Sequence, residues 1–339
     1  MQREHASNAG ACARLPVPRS SQSSSRRTIR RMSTRQQNAK APKLFVHLTS
    51  AQLDVALRLF LREDHGEAGD ITSTAMIPAT RQATAVIRAR TAGTLSGVPI
   101  AKRLLAIATP RLRFQVHARD GEKFRSRATI ATLRGPLRDI LKVERIMLNL
   151  LGHLSGVATA THALVARVAN TDAEIRDTRK TTPGLRAFEK YAVTCGGGLS
   201  HRSGLFDAFL AKDNHLVGLT IANLPTAVTA AVAEARRASH PAFVMIEVDT
   251  AAQFKALLSL PRGIINAVLL DNMSLAALRR LVALRDQRAP WLQLEASGGI
   301  TLRTVAAVAR SGVDFISVGS ITHSAPHIDF GLDIQQAAK

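Results

Sequence analysis

At 339 residues, 46% of them hydrophobic, the chain is long enough for one large domain or two ordinary ones with a real core, which excludes global disorder. Two cysteines exclude a disulfide framework or a Cys-rich zinc site, and no run approaches the roughly 18 apolar residues of a spanning helix. The formal charge of +21 calls for an anionic partner (nucleic acid, a membrane surface or a phosphorylated small molecule), although 4% aromatics leave little to stack single-stranded nucleic acid.

Residues 1–40 carry nine Lys+Arg against one acid, Glu4, and the Ser/Arg run at 20–27 has no apolar periodicity. They are expected to form a disordered basic Ser/Arg-rich tail, with Cys12 inert inside it. The apolar stretch of a secretory signal is missing; Arg and Ser with almost no acid also match an organelle transit peptide, and Met32 offers a second start.

The body begins near Pro42. Residues 49–62 open with a Thr/Ser cap signal and set Leu53, Leu57 and Phe60 at helical spacing. Residues 82–90 alternate like a half-buried strand, a turn follows at Ala92-Gly93, and a helix is predicted from about Pro99 to Ala108. Further strands are predicted at 114–118, closed by the turn pair Asp120-Gly121, and at 127–133. Segment 136–169 reads as one long helix or two joined ones. Val143, Met147, Leu150 and Leu154 share its apolar face, while Lys142, Arg145, Asn149, Gly152 and Gly156 share a polar one. Glycines there cost helix stability and admit a close approach.

From residue 170 the pattern changes. Short apolar runs at 175, 209–211, 243–246, 268–270, 292–294 and 315–318 each end in polar or glycine residues. Ala/Leu/Arg-rich periodic segments at 224–238, 250–259, 274–285 and 301–310 separate most of them. Strands alternating with helices at this spacing mean parallel βα units, arranged as a barrel or as a doubly wound sheet.

In both arrangements chemistry sits beyond the C-terminal ends of the strands. Those ends supply the cations Arg179, Lys180 and Lys212, and the His201-Arg202 pair in the Gly-flanked stretch 196–204 is counted with them. Crowded cations repel by about 4 kcal/mol per pair at about 4 Å in an effective dielectric of about 20, so such a mouth wants an anion. Arginine offers a fork for carboxylate or phosphate and lysine a point charge. Glu247 and Asp271, from two strand ends, can hold Mg2+ together with substrate phosphates and waters, and each taken alone also reads as a salt-bridge partner. Ser297-Gly298-Gly299 and Gly319-Ser320 read as backbone phosphate cradles at helix N-termini. His215 and His323 also admit structural readings. Cys195, before Gly196-Gly197-Gly198, has no base spaced to activate it and is read as packing. The set predicts a ligand with at least one phosphate, further negative charge and a bound divalent metal.

The run Asp177-Thr178-Arg179-Lys180-Thr181-Thr182-Pro183-Gly184-Leu185-Arg186 resembles the signature of the quinolinate phosphoribosyltransferase family (nicotinate-nucleotide pyrophosphorylase, carboxylating). So do Glu189-Lys190-Tyr191-Ala192-Val193, Gly196-Gly197-Gly198, His201-Arg202 and Lys212-Asp213-Asn214-His215. The likeness runs over about residues 50–335 and includes Glu63-Asp64 and Gly69-Asp70-Ile71-Thr72. It implies an α/β protein of the type II phosphoribosyltransferase kind: an N-terminal α/β sandwich domain (41–150), then an open, incomplete parallel α/β barrel (151–322), usually of seven strands. A C-terminal segment (323–339) would return toward the N-terminal domain.

The implied reaction joins quinolinate to phosphoribosyl pyrophosphate with Mg2+ and no organic cofactor. It yields nicotinate mononucleotide, pyrophosphate and CO2 in de novo NAD synthesis. By motif, Arg179, His201, Arg202 and Lys212 would grip the quinolinate carboxylates and nearby phosphate, with Lys180 among them. Lys180, Lys212, Glu247 and Asp271 form the implied catalytic set, Glu247 and Asp271 facing the ribose hydroxyls and the Mg2+–pyrophosphate. Ser297, Gly298 and Gly319 would cradle the 5′-phosphate, with His323 near the same end. Arg145 matches an arginine that reaches the neighbouring subunit's site, which implies a homodimer or hexamer with shared sites. The implied setting is cytoplasmic, with neither nucleic acid nor membrane as partner. Molybdenum-associated pyrophosphorylase-like relatives share the fold and much of the signature and stand as the alternative. A nucleic-acid reading rests on charge alone, without a helix-turn-helix or RNA-binding signature.

Overall fold

The computed structural model describes residues 49–335; the tail at 1–40, with Cys12 and Met32, and residues 336–339 lie outside the described residues. Helix α1 (Ser50–His65) starts where the cap signal sits: the Thr49 hydroxyl accepts the Gln52 N–H while the Gln52 carboxamide accepts the Thr49 N–H. It runs three residues past the expected end and stops at Gly66, whose φ of 53° suits glycine. Asp70 caps the short α2 (Ile71–Met76). Then follow β1 (Gln82–Ala89), β2 (Gly93–Thr94), α3 (Val98–Ala108), β3 (Arg113–Val116), β4 (Lys123–Phe124) and β5 (Thr129–Pro136). The two-residue strands β2 and β4, which pair with each other, carry no periodicity and escaped the sequence reading.

Segment 136–169 is one uninterrupted helix, α4 (Leu137–Arg167), with Val143, Met147, Leu150 and Leu154 buried as predicted. The expected domain boundary at residue 150 falls inside it. The opposite face departs from expectation. Arg145 and Asn149 are exposed, but Gly152 and Gly156 are buried beneath residues 326–328 of the same chain. A Cβ at 152 would lie 2.0 Å from the His327 ring, and one at 156 would lie 1.7 Å from the Pro326 carbonyl oxygen. That approach lets the Ile328 N–H donate to the Gly152 carbonyl at 3.0 Å. The visitor that the glycines admit is thus the chain's own C-terminal segment. It continues into β12 (Phe330–Gln335), antiparallel to β1 in a sheet of order β12-β1-β5-β3.

Between α4 and β12 the expected βα units appear: β6 (Glu174–Arg176), α5 (Arg186–Cys195), β7 (Phe209–Ala211), α6 (Asp213–Leu216), α7 (Leu224–Ala238), β8 (Val244–Val248), α8 (Ala251–Leu257), β9 (Ala267–Asp271), α9 (Leu275–Arg288), β10 (Gln293–Ser297), α10 (Val305–Ala309), β11 (Phe315–Ser317) and α11 (Ser320–His323). The strands form one parallel sheet of order β6-β11-β10-β9-β8-β7. Among the described residues it has the six strands that the spacing gave, where the resemblance implied seven, and it is open, not a closed barrel. Among the described residues the β7 edge pairs only with β8, and beyond β6 lies a single parallel bridge, Arg176 to Leu199.

Register sorts the strand residues onto two faces. Glu247 lies level with Leu269 and Leu269 with Glu295; Asp271 lies level with Ser297, and Ser317 with Arg176. Side chains alternate along a strand, so these residues share the inner wall. The residues between them, Ile246, Val248, Val268, Leu270, Leu294, Ala296 and Ile316, join the main core with α7 to α10. Met245, Ala267 and Leu269, with Leu210 and Phe243, form a separate small apolar cluster on the inner face. The wall is therefore apolar toward the start of the strands and polar at their C-terminal mouth.

Gly156→Ala is expected to lower the unfolding free energy by about 1–3 kcal/mol through overpacking, more than the gain of about 1 kcal/mol from better helix propensity. An unchanged urea midpoint would show that residues 326–328 yield at no cost.

Candidate active site

The strand mouth opens into a pocket of about 640 Å³. Eleven of the twelve residues singled out from the sequence line it together: Arg179, Lys180, His201, Arg202, Lys212, Glu247, Asp271, Ser297, Gly298, Gly319 and His323. They come from the ends of all six strands and from the loop at 201–202 that precedes β7, so their meeting is a product of the parallel sheet.

One buried ion pair assembles the cationic side. Asp177, just past β6, and Lys190 on α5 are both fully buried, with Nζ 2.6 Å from Oδ1. The same Oδ1 accepts the His201 N–H at 2.8 Å, and Nζ donates to the His201 carbonyl at 3.2 Å. The loop at 200–202 is therefore tied to the end of β6, which brings Arg202 to Arg179. Burial raises Asp177 to about 6 against Lys190's opposing charge, and burial lowers Lys190.

Arg202 is only 7% exposed, and its pKa is lowered first by burial and then by the Arg179 charge. Arg179 carries a buried Nε with no hydrogen-bond partner among the described residues. A buried donor left unpaired costs about 1–3 kcal/mol, so Arg179 calls for an acceptor oxygen, and the desolvated charge of Arg202 beside it favours an anion there. His201 corrects the sequence reading, which counted it as a cation. Burial, partly opposed by Glu295, pushes its ring down to about 4, so it is neutral near pH 7. Its Nδ1 accepts the Arg202 N–H at 2.7 Å, and Nε2 faces Glu295 Oε1 at 3.4 Å.

On the other side, Glu247 is buried, lines the pocket and is paired there with Lys212, so the salt-bridge reading holds. Asp271 accepts from Asn272 Nδ2 at 2.6 Å. Among the described residues no group of three or more His, Cys, Asp or Glu forms a metal cage. Two carboxylates on one wall suit Mg2+, which takes its other oxygens from phosphate and water. The donor set therefore fits that ion.

Gly298 has a φ of 97°, and a Cβ there would lie 2.1 Å from Asn272 Oδ1, so only glycine fits. The helix expected to begin at Ser297-Gly298-Gly299 starts later, at Val305, because a Thr301–Thr304 turn intervenes. The cradle is thus a loop. Among the described residues the N–H groups of Gly298, Gly299 and Ser320 donate to no other backbone group. The exposed Lys180 side chain lies across Gly319, where a Cβ would be 3.0 Å from Lys180 Cδ and 3.3 Å from the His323 ring. Outside the pocket, His215 Nδ1 accepts the Lys212 N–H at 3.1 Å. Cys195 is buried and its thiol is pushed up to about 12, first by burial, which makes it a poor nucleophile.

Two family models match this chain: "Quinolinate phosphoribosyl transferase, N-terminal domain" over residues 70–155 and "Quinolinate phosphoribosyl transferase, C-terminal domain" over 157–333. The chain belongs to the quinolinate phosphoribosyl transferase family. It is 39% identical over 292 residues to the nicotinate-nucleotide pyrophosphorylase [carboxylating] of Mycobacterium leprae, covering 85% of this chain and all of that one. Solved structures of nicotinate-nucleotide pyrophosphorylases resemble it too. That from Francisella tularensis has a TM-score of 0.75 at 33% identity over 85% of this chain and 98% of its own. That from Ehrlichia chaffeensis has a TM-score of 0.75 at 32% identity over 85% and 99%.

Within this family frame, Arg145 is the residue that the structure sets apart. It lines a second hollow of about 670 Å³ with Glu63, Asp64, Asn149, His153 and Thr182. The sequence reading assigned no role to Glu295, which is fully buried and lines the pocket, nor to Arg176, whose Nη1 lies 2.9 Å from it. The odd–even alternation along β10 was the available signal, since Glu295 and Ser297 share a face.

Asp177 titrates at about 6 in the folded chain against an ordinary 3.8, so its contribution to stability is complete below 3.8 and is lost as pH rises through 6. Lys190→Met strands that carboxylate and should cost about 3–5 kcal/mol near neutrality, less on acidification as Asp177 takes a proton. Urea titrations at several pH values check this; a pH-independent deficit would refute it.

Proposed function

We propose that this chain transfers the phosphoribosyl group of phosphoribosyl pyrophosphate to quinolinate with decarboxylation, giving nicotinate mononucleotide, pyrophosphate and CO2. This is a step of de novo NAD synthesis. The carrying observation is the meeting, in one pocket, of two carboxylate-seeking arginines with two carboxylates on the facing wall: Arg179 with its unpaired buried Nε, Arg202 buried beside it, and Glu247 and Asp271 opposite. Membership of the family supplies the reaction, and the names of its relatives agree with it.

Arg179 and Arg202 hold the two quinolinate carboxylates and turn the ring nitrogen toward the sugar. As that nitrogen bonds to C1 of the ribose, the C1–pyrophosphate bond breaks and positive charge develops on the sugar. Glu247 and Asp271 stabilise that charge, and Lys212 and Lys180 receive the leaving negative charge. The loops at Ser297-Gly298 and Gly319 hold the 5′-phosphate through backbone N–H groups, with His323 beside them. Glu247 and Asp271 would also hold Mg2+, which screens the diphosphate when bound. In the second step the carboxylate next to the ring nitrogen departs as CO2, leaving its electron pair to the cationic ring, and a proton replaces it. No organic cofactor is required. We place the reaction in the cytoplasm, since a sugar diphosphate does not cross membranes unaided. Among the described residues no helix is long and apolar enough to span one.

We further propose a homodimer, or a hexamer built from such dimers, in which Arg145 completes the neighbouring subunit's site. Its exposure outside its own chain's pocket supports this reading.

Formation of nicotinate mononucleotide from quinolinate tests the function; product from nicotinate but not from quinolinate would defeat it. Arg179→Ala should raise the quinolinate KM by the equivalent of about 2–5 kcal/mol. Glu247→Ala or Asp271→Ala should lower kcat more than quinolinate affinity, and chelation of Mg2+ should stop turnover. Mixing Arg145→Ala with Asp271→Ala chains should restore part of the activity through hybrid sites, and failure in every mixture would argue that each site comes from one chain.

A further inference from the structure

On the inner wall of β10, in the lining of the pocket, lies a carboxylate that contributes to no step above. Glu295 is fully buried; two donors bond to it and the His201 ring faces it, from three other segments. Arg176 Nη1, at the end of β6, lies 2.9 Å from Oε2. The Ser317 hydroxyl, at the end of β11, donates to Oε1. His201 Nε2, on the loop before β7, lies 3.4 Å from that same Oε1. Arg176 is held from its other side by the Phe315 ring, whose centroid is 3.2 Å from the guanidinium carbon. His201 is wedged edge-on against Phe243, with centroids 5.2 Å apart. The carboxylate can only accept, so each group facing it must present a hydrogen. For His201 that places the hydrogen on Nε2 and leaves Nδ1 a bare acceptor. The Arg202 N–H fills Nδ1 at 2.7 Å.

We propose that Glu295 and His201 act as positioning residues: Glu295 fixes His201 as the Nε2–H tautomer, and the ring's Nδ1 then pins the Arg202 backbone, so His201 serves substrate binding without touching the substrate. The inference rests on the proposed function and deepens it, since it states how Arg202 is aimed at a carboxylate of the dianionic ring. The neutrality of the buried ring agrees with it. The alternative, in which His201 donates a hydrogen bond to the substrate, requires the ring to release either Glu295 or the Arg202 N–H.

Asparagine and glutamine separate the two roles. The Asn side-chain oxygen falls near the Nδ1 position of histidine and can accept the Arg202 N–H, whereas the Gln amide falls near Nε2 and can only replace the outward donor. In the full-length enzyme, H201Q should raise the quinolinate KM about tenfold, on the scale of one lost buried hydrogen bond, and H201N should raise it clearly less. The phosphoribosyl pyrophosphate KM should stay within about twofold in both, as a contact confined to the other substrate requires. E295Q turns an amide N–H₂ toward one of the three groups that face the carboxylate and should resemble H201Q. 15N-histidine NMR, with His201 assigned by its loss in H201N, should show a proton on Nε2 in the parent protein and protonated Nδ1 appearing in E295Q. Equal or reversed effects of H201N and H201Q, or a parent ring protonated at Nδ1, would overturn the inference. If E295Q fails to fold, the two His201 variants decide the question. A parent enzyme that turns over no quinolinate would instead defeat the function, while the tautomer measurement would still judge the positioning role.

Discussion

The buried Asp177–Lys190 pair is the constraint on which the cationic half of the pocket depends. Two charges removed from water hold little net stability, but they fix geometry, because each demands its partner and its remaining hydrogen bonds. Here those remaining bonds go to both backbone groups of His201. A loop with no regular structure of its own is thereby held against the end of β6, and Arg179 and Arg202 meet although 22 positions separate them in the chain.

The parallel sheet does the corresponding work for the acids. Register and alternation put Glu247, Asp271, Glu295 and Ser297 on one wall and send their neighbours into the helices. Behind the mouth, Glu295 neutralises Arg176, so the positive charge left for a ligand is concentrated on Arg179, Arg202 and Lys180. The groups at the mouth are the ones proposed to carry charge for the substrate, and the ion pairs Asp177–Lys190 and Arg176–Glu295 lie buried among them.

The glycines of α4 teach a different lesson. Gly152 and Gly156 lie on the same helix face as Arg145, and from spacing a close approach there could be made by any neighbour. The structure assigns that space to residues 326–328, which ties the C-terminal strand back onto β1 and joins the two halves of the fold. The proposed intersubunit role of Arg145 therefore rests on its exposure and on the family motif, and the glycines lend it no support.

The sequence by itself determined the series of βα units, the polar strand ends and, through the run at 177–186 with its companion motifs, the family. These are local properties: periodicity, turn residues and contiguous motifs are written along the chain. The gathering of eleven candidate residues in one mouth followed from the parallel arrangement those units impose. The tertiary structure alone decided that the strands stand in the order β6-β11-β10-β9-β8-β7, that His201 is neutral with Nδ1 bonded to the Arg202 N–H and Nε2 facing Glu295, that Glu295 lines the pocket, and that the cradle is a loop well ahead of α10. Each of those depends on which distant segment lies opposite, on burial, or on the turn that intervenes before a helix begins. Pairings of that kind are set by the packing of the whole chain, and no local pattern records them.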